Sequence, residues 1–147
     1  MTYSPILVPV VALIAWTLVV MFWMALTRLP AMKKAGIGLD RRGGRGANLE
    51  GVIPDEVNWK AHNYQHLLEQ PTIFYAIAFV LTLMEMGGGI NLVLAWGYVG
   101  FRVVHSLIQA TTNIVKYRFA FFLLSSLCLI GLTVHAAARI LHDCVGW

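Results

Sequence analysis

Four apolar stretches, each long enough to cross a lipid bilayer, constrain the fold of this chain more than any other feature of its sequence. They are found at about 6–27, 66–86, 90–112 and 119–140. A membrane-spanning helix needs about 20 mostly apolar residues, so these stretches take up most of the 147 residues. Hydrophobic residues make up 59% of the chain and charged residues only 12%, which is unlike a soluble domain. The sequence therefore predicts an all-α membrane protein, a four-transmembrane-helix bundle that forms a single domain over 1–147.

The lysines and arginines are concentrated at two of the three connections between these stretches. Those in or beside the first connection, 29–54, are Arg28, Lys33, Lys34, Arg41, Arg42, Arg45 and Lys60. Lys116 and Arg118 lie between the third and fourth stretches. Because positively charged connections stay in the cytoplasm, both connections are predicted to be cytoplasmic and both termini outside. The net charge of +4 then reflects membrane topology, and no nucleic acid partner is expected.

The second helix is predicted to begin in water, before its apolar part. Pro54 is followed by Asp55 and Glu56, and acidic residues in a first turn interact favourably with the helix dipole. We predict a helix over 55–86 whose apolar part starts near residue 66. Pro71 inside it removes one backbone hydrogen bond and is expected to kink the axis. The remaining helices are predicted at 90–112 and 119–140, after the first at 6–27.

Two of the predicted helices carry stripes of polar residues. Helix three has Arg102, His105, Gln109, Asn113 and Lys116, within an arc of roughly 80°. Helix two has His62, Asn63, His66, Glu69 and Gln70, within an arc of about 120°. An ionisable group inside a membrane costs about 2.5–3.5 kcal/mol on insertion scales, so such groups face a bundle interior or a wet cavity and often mark function. We expect the two stripes to face each other or a neighbouring subunit.

These polar residues allow more than one interpretation. They can satisfy one another, with Glu69 paired to Arg102 in one polar network. They can also form a ligand site, because the stripes hold more positive charge than Glu69 alone neutralises, and arginines near the cytoplasmic end suit an anionic ligand. No metal site is expected, since no Glu or Cys completes a familiar ligand spacing with His62 and His66. Bis-histidine haem between helices two and three is a further alternative.

Two segments resemble a known family. The helix-two segment WKAHNYQHLLEQPTIFYA and the helix-three segment FRVVHSLIQATTNIVKYRF resemble the signatures of the membrane-associated proteins in eicosanoid and glutathione metabolism (MAPEG). The resemblance covers nearly the whole chain. It implies a homotrimer that holds glutathione, as co-substrate, between neighbouring subunits near the cytoplasmic face. Within this family, the sequence resembles the bacterial branch related to microsomal glutathione transferases. This resemblance implies that the protein is located in a bacterial inner membrane.

The resemblance also implies roles for individual residues. Arg118 matches the arginine that stabilises the glutathione thiolate and is the predicted catalytic residue. Glu69 matches the glutamate that holds the amino group of the tripeptide. The implied glutathione-binding residues are Arg28, Asn63, His66, Glu69, Arg102, His105 and Gln109. The chain departs from the family pattern at Gln65 and His66, where many members have Arg-Asn, and at Phe119, where the prostaglandin synthases have a serine. An eicosanoid synthase is therefore disfavoured.

The chemistry of a thiol agrees with this residue set. A free thiol has a pKa of about 8.5, and a guanidinium beside it favours the thiolate without losing its own charge. The sequence and the resemblance together favour an enzyme, a glutathione-dependent transferase or peroxidase that acts on lipophilic electrophiles from the bilayer. The alternatives are a non-catalytic membrane protein of the same fold that binds a lipid or another thiol, and a haem or quinone carrier.

Overall fold

A computed structural model describes residues 3–38 and 44–145 of the chain. Its four long helices are α1 (Leu7–Lys34), α2 (Asp55–Leu83), α3 (Gly89–Thr111) and α4 (Val115–Val145). A short 3₁₀-helix, Gly46–Leu49, lies between α1 and α2, and the described residues contain no β-strand. All four helices are long and apolar enough to cross a membrane. The predicted all-α, four-helix membrane fold is confirmed, and the chain is an integral, multi-pass membrane protein.

The helices differ from the predicted apolar stretches mainly at their ends. α1 continues to Lys34, so the connection that follows begins at residue 35 and not at 29. Backbone hydrogen bonds continue into water beyond an apolar stretch, and Lys33 and Lys34 in the last turn interact favourably with the helix dipole. α4 likewise begins before residue 119 and extends past 140. Residues 39–43 of the predicted loop, with Arg41 and Arg42, lie outside the described residues.

The boundaries of α2 follow its local sequence. The helix begins at Asp55, with Pro54 as its N-cap residue and two acidic side chains in its first turn. It passes through Pro71 without interruption and ends at Leu83, where 86 was predicted. Glu85 then adopts a positive φ of 58°, which turns the chain into α3. The short turn makes α2 and α3 antiparallel neighbours.

The core lies between the helices, and α2 and α3 each pack against all three others. Fully buried apolar side chains from all four helices form it, among them Leu13, Val20, Phe74, Tyr98 and Leu132. The rings of Phe74 and Tyr98 stack with their centroids 4.4 Å apart. Many large apolar side chains, such as Leu26 and Phe79, instead point outward, as expected of a surface that faces lipid.

The bundle has two distinct ends. At one end, here called the loop end, α1 and α3 finish and α2 and α4 start. The other, the termini end, carries the α2–α3 turn, where a side chain on Gly87 would collide with Ser4 and Ile6 near the N-terminus. The predicted site residues lie on the loop-end halves of their helices.

Candidate functional site

The polar stripes of α2 and α3 meet near the loop end, around one aromatic side chain of α4. Arg102 is fully buried and donates from Nη2 to the backbone oxygen of His66, at 2.9 Å. The rings of His66 and His105 lie with their centroids 5.0 Å apart. The Phe122 ring stacks on His66 at 5.6 Å, and the Arg102 guanidinium carbon lies 5.8 Å from its centre. A cation over an aromatic face is stabilised by the ring quadrupole, so Phe122 ties α4 to this cluster.

The expected direct pair of Glu69 and Arg102 is not formed between the described residues. Glu69 Oε2 lies 2.9 Å from Nδ1 of His66 instead, and the Glu69 side chain is 69% exposed. Glu69 and Arg102 are linked only through His66, whose ring contacts the carboxylate and whose carbonyl accepts from the guanidinium. The two side chains do not meet directly because Glu69 points to the outer surface of α2, whereas Arg102 points into the bundle.

Arg102 therefore carries a buried positive charge with unused donors. Its Nε and Nη1 are buried and have no hydrogen-bond partner in the described part of the chain. No carboxylate of residues 3–38 or 44–145 lies within salt-bridge distance of it. Leaving a buried donor unpaired costs about 1–3 kcal/mol, and more for a charged group. Such a guanidinium raises the electrostatic potential of its surroundings and favours negative charge nearby.

His105 uses both ring nitrogens inside the chain. Nδ1 lies 2.7 Å from the backbone oxygen of Arg118, and Nε2 lies 3.2 Å from the side-chain oxygen Oε1 of Gln109. A backbone carbonyl only accepts, so Nδ1 carries a hydrogen and donates it to the Arg118 oxygen. The side chains of His105 and Gln109 are both buried. His105 thus joins the end of α3 to the first turn of α4. Its ring also lies against the ring of His66, and this spacing leaves no gap for the porphyrin of a bis-histidine haem between the two rings.

The guanidinium of Arg118 is held from the α3–α4 turn. Its Nη1 donates to Oδ1 of Asn113 at 2.6 Å. Asn113 follows the end of α3 and has a φ of 51°, a left-handed conformation that asparagine tolerates better than most residues. Its backbone N–H donates to the Ile108 carbonyl at 2.7 Å. Arg118 is half-buried, and its other guanidinium N–H groups make no hydrogen bond within the described residues. The turn and His105 therefore orient Arg118 while most of its donors stay available.

Asn63 belongs to a separate buried contact that joins three helices. Its Nδ2 donates to Oγ of Ser106 at 2.8 Å, and Nε1 of Trp16 donates to the same oxygen at 3.0 Å. Asn63 is 1% exposed, so this contact ties α1, α2 and α3 together inside the bundle. Ser106, Trp16 and Phe122 were not among the predicted site residues. The signal available for Ser106 was its place beside His105 on the polar side of α3.

Arg28 lies apart from the other predicted site residues in this chain. It donates from Nη2 to the backbone oxygen of Gly46 at 2.8 Å, at the start of the 3₁₀-helix. No hydrogen bond between described residues joins it to the cluster around Phe122. Two surface grooves, of about 750 and 560 Å³, flank Pro30 near this end of α1 and not the cluster. Neither of these two grooves is lined by Arg28 or Arg118.

Comparison with known proteins identifies one family. The family model described as MAPEG family matches residues 6–138. The match contains Arg28, Arg118 and every residue of the cluster around Phe122. No curated protein and no solved structure matches the chain.

Proposed function

Since the chain belongs to the MAPEG family, we propose that it is a membrane-embedded, glutathione-dependent transferase or peroxidase that acts on lipophilic electrophiles. The observation that carries this proposal is the setting of Arg118. Its guanidinium is fixed through one nitrogen by Asn113, and its backbone is fixed by His105, while its remaining N–H groups are open to a ligand. A preorganised guanidinium stabilises a thiolate without giving up its own proton.

The other charges in the cluster suit the remaining groups of glutathione. The tripeptide carries two carboxylates and one ammonium. Glu69, which is exposed and hydrogen-bonded to His66, would accept from the ammonium. The positive charge of Arg102, neutralised by no carboxylate in the described chain, favours the anionic part of the ligand. Arg28, Asn63, His105 and Gln109 complete the proposed set. His105 acts through the backbone of Arg118, and Asn63 acts through the packing of the helices that it joins.

A homotrimer would explain the position of Glu69. This carboxylate lies in the apolar part of α2, yet its side chain is 69% exposed on the single chain. A carboxylate facing lipid is costly, so we propose that this surface faces a neighbouring subunit and that glutathione binds between them. The lipophilic substrate would enter from the bilayer. We propose that the loop end lies in the cytoplasm and both termini outside, because the connections at this end are positively charged. A bacterial inner membrane is proposed from the family resemblance alone.

The proposed reactions balance with glutathione as the only co-substrate. In the transferase reaction the thiolate sulfur attacks an electrophilic carbon, a C–S bond forms, and the leaving group departs with the bonding electron pair. In the peroxidase reaction two glutathiones are oxidised to the disulfide while an organic hydroperoxide is reduced to an alcohol and water. In both, Arg118 favours the thiolate before the attack.

Thermal unfolding of the purified protein with added thiols tests this proposal. A ligand that binds only the folded state stabilises it by about 2.7 kcal/mol at a concentration of 100 Kd. We expect reduced glutathione to raise the unfolding temperature and free cysteine not to, because cysteine lacks the second carboxylate and the length of the tripeptide. Conjugation of an aromatic electrophile and reduction of a lipid hydroperoxide are then assayed on the same sample. An unchanged unfolding temperature with glutathione would refute the proposal.

One observation favours binding without turnover as a second candidate. Asn63 and His105 use their polar atoms mainly inside the chain, so fewer groups than the sequence suggested are free to act on a substrate. A protein of the same fold that binds a thiol or a lipid needs only the remaining charges. It would show the thermal shift but neither conjugation nor peroxide reduction.

A further inference from the structure

We infer that the segment 44–54, here called the strap, positions the guanidinium of Arg28 for a ligand carboxylate through the main chain of Gly46. The inference rests on the proposed function, because the carboxylate is taken to belong to a glutathione-like thiol. It assigns a positioning role to Gly46 and Asn58, two residues that were not predicted to belong to the site. A set of contacts at the loop end of α1 and α2 supports it.

Gly46 lies directly against the guanidinium of Arg28. Its carbonyl accepts from Nη2 at 2.8 Å. A Cβ atom built on Gly46 would lie 3.0 Å from Nη2, 3.3 Å from Nη1 and 3.6 Å from Cζ. The first two distances are shorter than nine in ten real Cβ contacts, so a Cβ at position 46 would require the guanidinium to shift by a few tenths of an ångström. Glycine at this position therefore allows the close approach of Arg28 seen in the structure.

The strap itself is fastened to α2. Asn58, which is buried, donates from Nδ2 to the carbonyl of Leu49 at 3.2 Å and to that of Ile53 at 3.5 Å. The Ile53 side chain is also buried. Glu50 Oε1 lies 3.1 Å from Nε2 of His62. These contacts fix the strap on one side to α2, while Gly46 fixes it on the other side to α1.

This arrangement determines how Arg28 can act. An arginine side chain has several rotatable bonds, and ordering it on ligand binding costs entropy. The Gly46 carbonyl takes one N–H of Nη2 and so orders the side chain in advance. Nη1 makes no hydrogen bond within the described residues. Its N–H groups are the donors that we assign to a ligand carboxylate, and the strap holds them in one orientation.

The test compares four variants. They are Gly46→Ala, Arg28→Lys, the double variant that carries both of these changes, and the control Gly88→Ala. Gly88 is the control because a Cβ there meets nothing within 4 Å and the residue has an ordinary φ of −109°. Glutathione Kd is measured by calorimetry, kcat by conjugation, and hydrogen exchange of the strap by mass spectrometry. We expect Gly46→Ala to raise Kd about tenfold, to leave kcat unchanged and to speed exchange in the strap. Gly88→Ala should change none of the three.

The double variant separates positioning from general damage. Lysine has no planar fork for the added methyl group at position 46 to displace, so the double variant should bind glutathione no worse than Arg28→Lys alone. Asn58→Leu, which unfastens the strap from α2, should raise Kd in the same way as Gly46→Ala. Additive losses in the double variant, or an unchanged Kd for Gly46→Ala, would overturn the inference.

Failure of the proposed function gives a different result. If the wild-type protein binds no glutathione, the proposed function fails, and the strap is judged by hydrogen exchange alone. Faster hydrogen exchange of the strap in Gly46→Ala would then show that the contact between Gly46 and Arg28 stabilises the strap. This contact would have no role in binding a thiol, so the inference would fail together with the proposed function. Unchanged exchange would show that Gly46 does not hold the strap against Arg28.

Discussion

The Nδ1 atom of His105 lies 2.7 Å from the backbone oxygen of Arg118, so a side chain near the end of α3 holds the first turn of α4. The same α4 turn carries the guanidinium that Asn113 orients through its side-chain oxygen. The two contacts approach Arg118 from its backbone and from its side chain. Together they reduce the freedom of the group that we propose to stabilise a thiolate.

Replacing His105 tests this link. His105→Leu removes the side-chain hydrogen bond to the Arg118 carbonyl, and a typical intramolecular hydrogen bond contributes about 0.5–1.5 kcal/mol to the free energy of unfolding. We expect that loss in thermal unfolding in detergent, together with weaker ionisation of bound glutathione. His135→Leu is the control, because His135 makes a comparable interhelical contact, 2.9 Å to Asn91, at the termini end. It should lose stability but keep the thiolate. Equal loss of the thiolate in both variants would contradict the link.

The contact of Trp16, Asn63 and Ser106 should stabilise the bundle and support the site through packing, without touching the ligand. Ser106→Ala removes the acceptor of two buried donors and should cost about 1–3 kcal/mol. Ser125→Ala is the matched control, since Ser125 is equally buried but bonds only to Phe122 in its own helix. Unfolding in a mild detergent measures both. If Ser106→Ala is no less stable than Ser125→Ala, the three-helix contact contributes nothing.

Glu69 should matter for the ligand and little for stability. Its side chain is exposed and contacts His66 but not Arg102. In the ligand-free protein the proposed site between subunits leaves this carboxylate in water, so we expect Glu69→Gln to lower the unfolding free energy by less than about 1 kcal/mol, as for an exposed ion pair, and to weaken glutathione binding. Glu85→Gln, an exposed glutamate at the termini end, serves as the control. A loss of several kcal/mol in Glu69→Gln would show that its carboxylate is buried against a charge after all.

Much of the fold could be predicted from the sequence, because spanning a bilayer demands a length and an apolarity that can be counted along the chain. The acidic first turn after Pro54 likewise placed the start of α2. The end of α1 could not be placed in this way, since Lys33 and Lys34 are polar and yet helical. Hydropathy indicates whether a segment lies in lipid or in water, whereas the ends of a helix depend on its backbone hydrogen bonds.

The candidate site was harder to predict, for a geometric reason. Periodicity placed Arg102 and His105 on one side of α3, which the structure buries. It could not show that Glu69 points outward, because charge pairing depends on the rotation of α2 relative to α3. Nor could periodicity show that Ser106 accepts hydrogen bonds from side chains of two other helices. Those relationships belong to packing between helices, which the spacing of residues along one helix does not encode.

The orientation in the membrane can be tested with the native Cys144, which is exposed near the end of α4. If both termini lie outside, an impermeant thiol reagent should label Cys144 in spheroplasts of intact inner membrane. A cysteine introduced at the exposed Ala47, in a Cys144→Ser background, should react only after the membrane is opened. Labelling of Ala47→Cys in intact spheroplasts would reverse the topology.

The most direct test of the proposed function is the ultraviolet thiolate band of glutathione bound to Arg118 variants. Arg118→Ala should keep the fold and most of the affinity for glutathione but lose the thiolate band and conjugating activity. Arg118→Lys should fall in between, because it keeps the charge and loses the planar fork. Lys116→Ala, an exposed cation near the same turn, should behave as wild type. An undiminished thiolate band in Arg118→Ala would contradict the role assigned to Arg118.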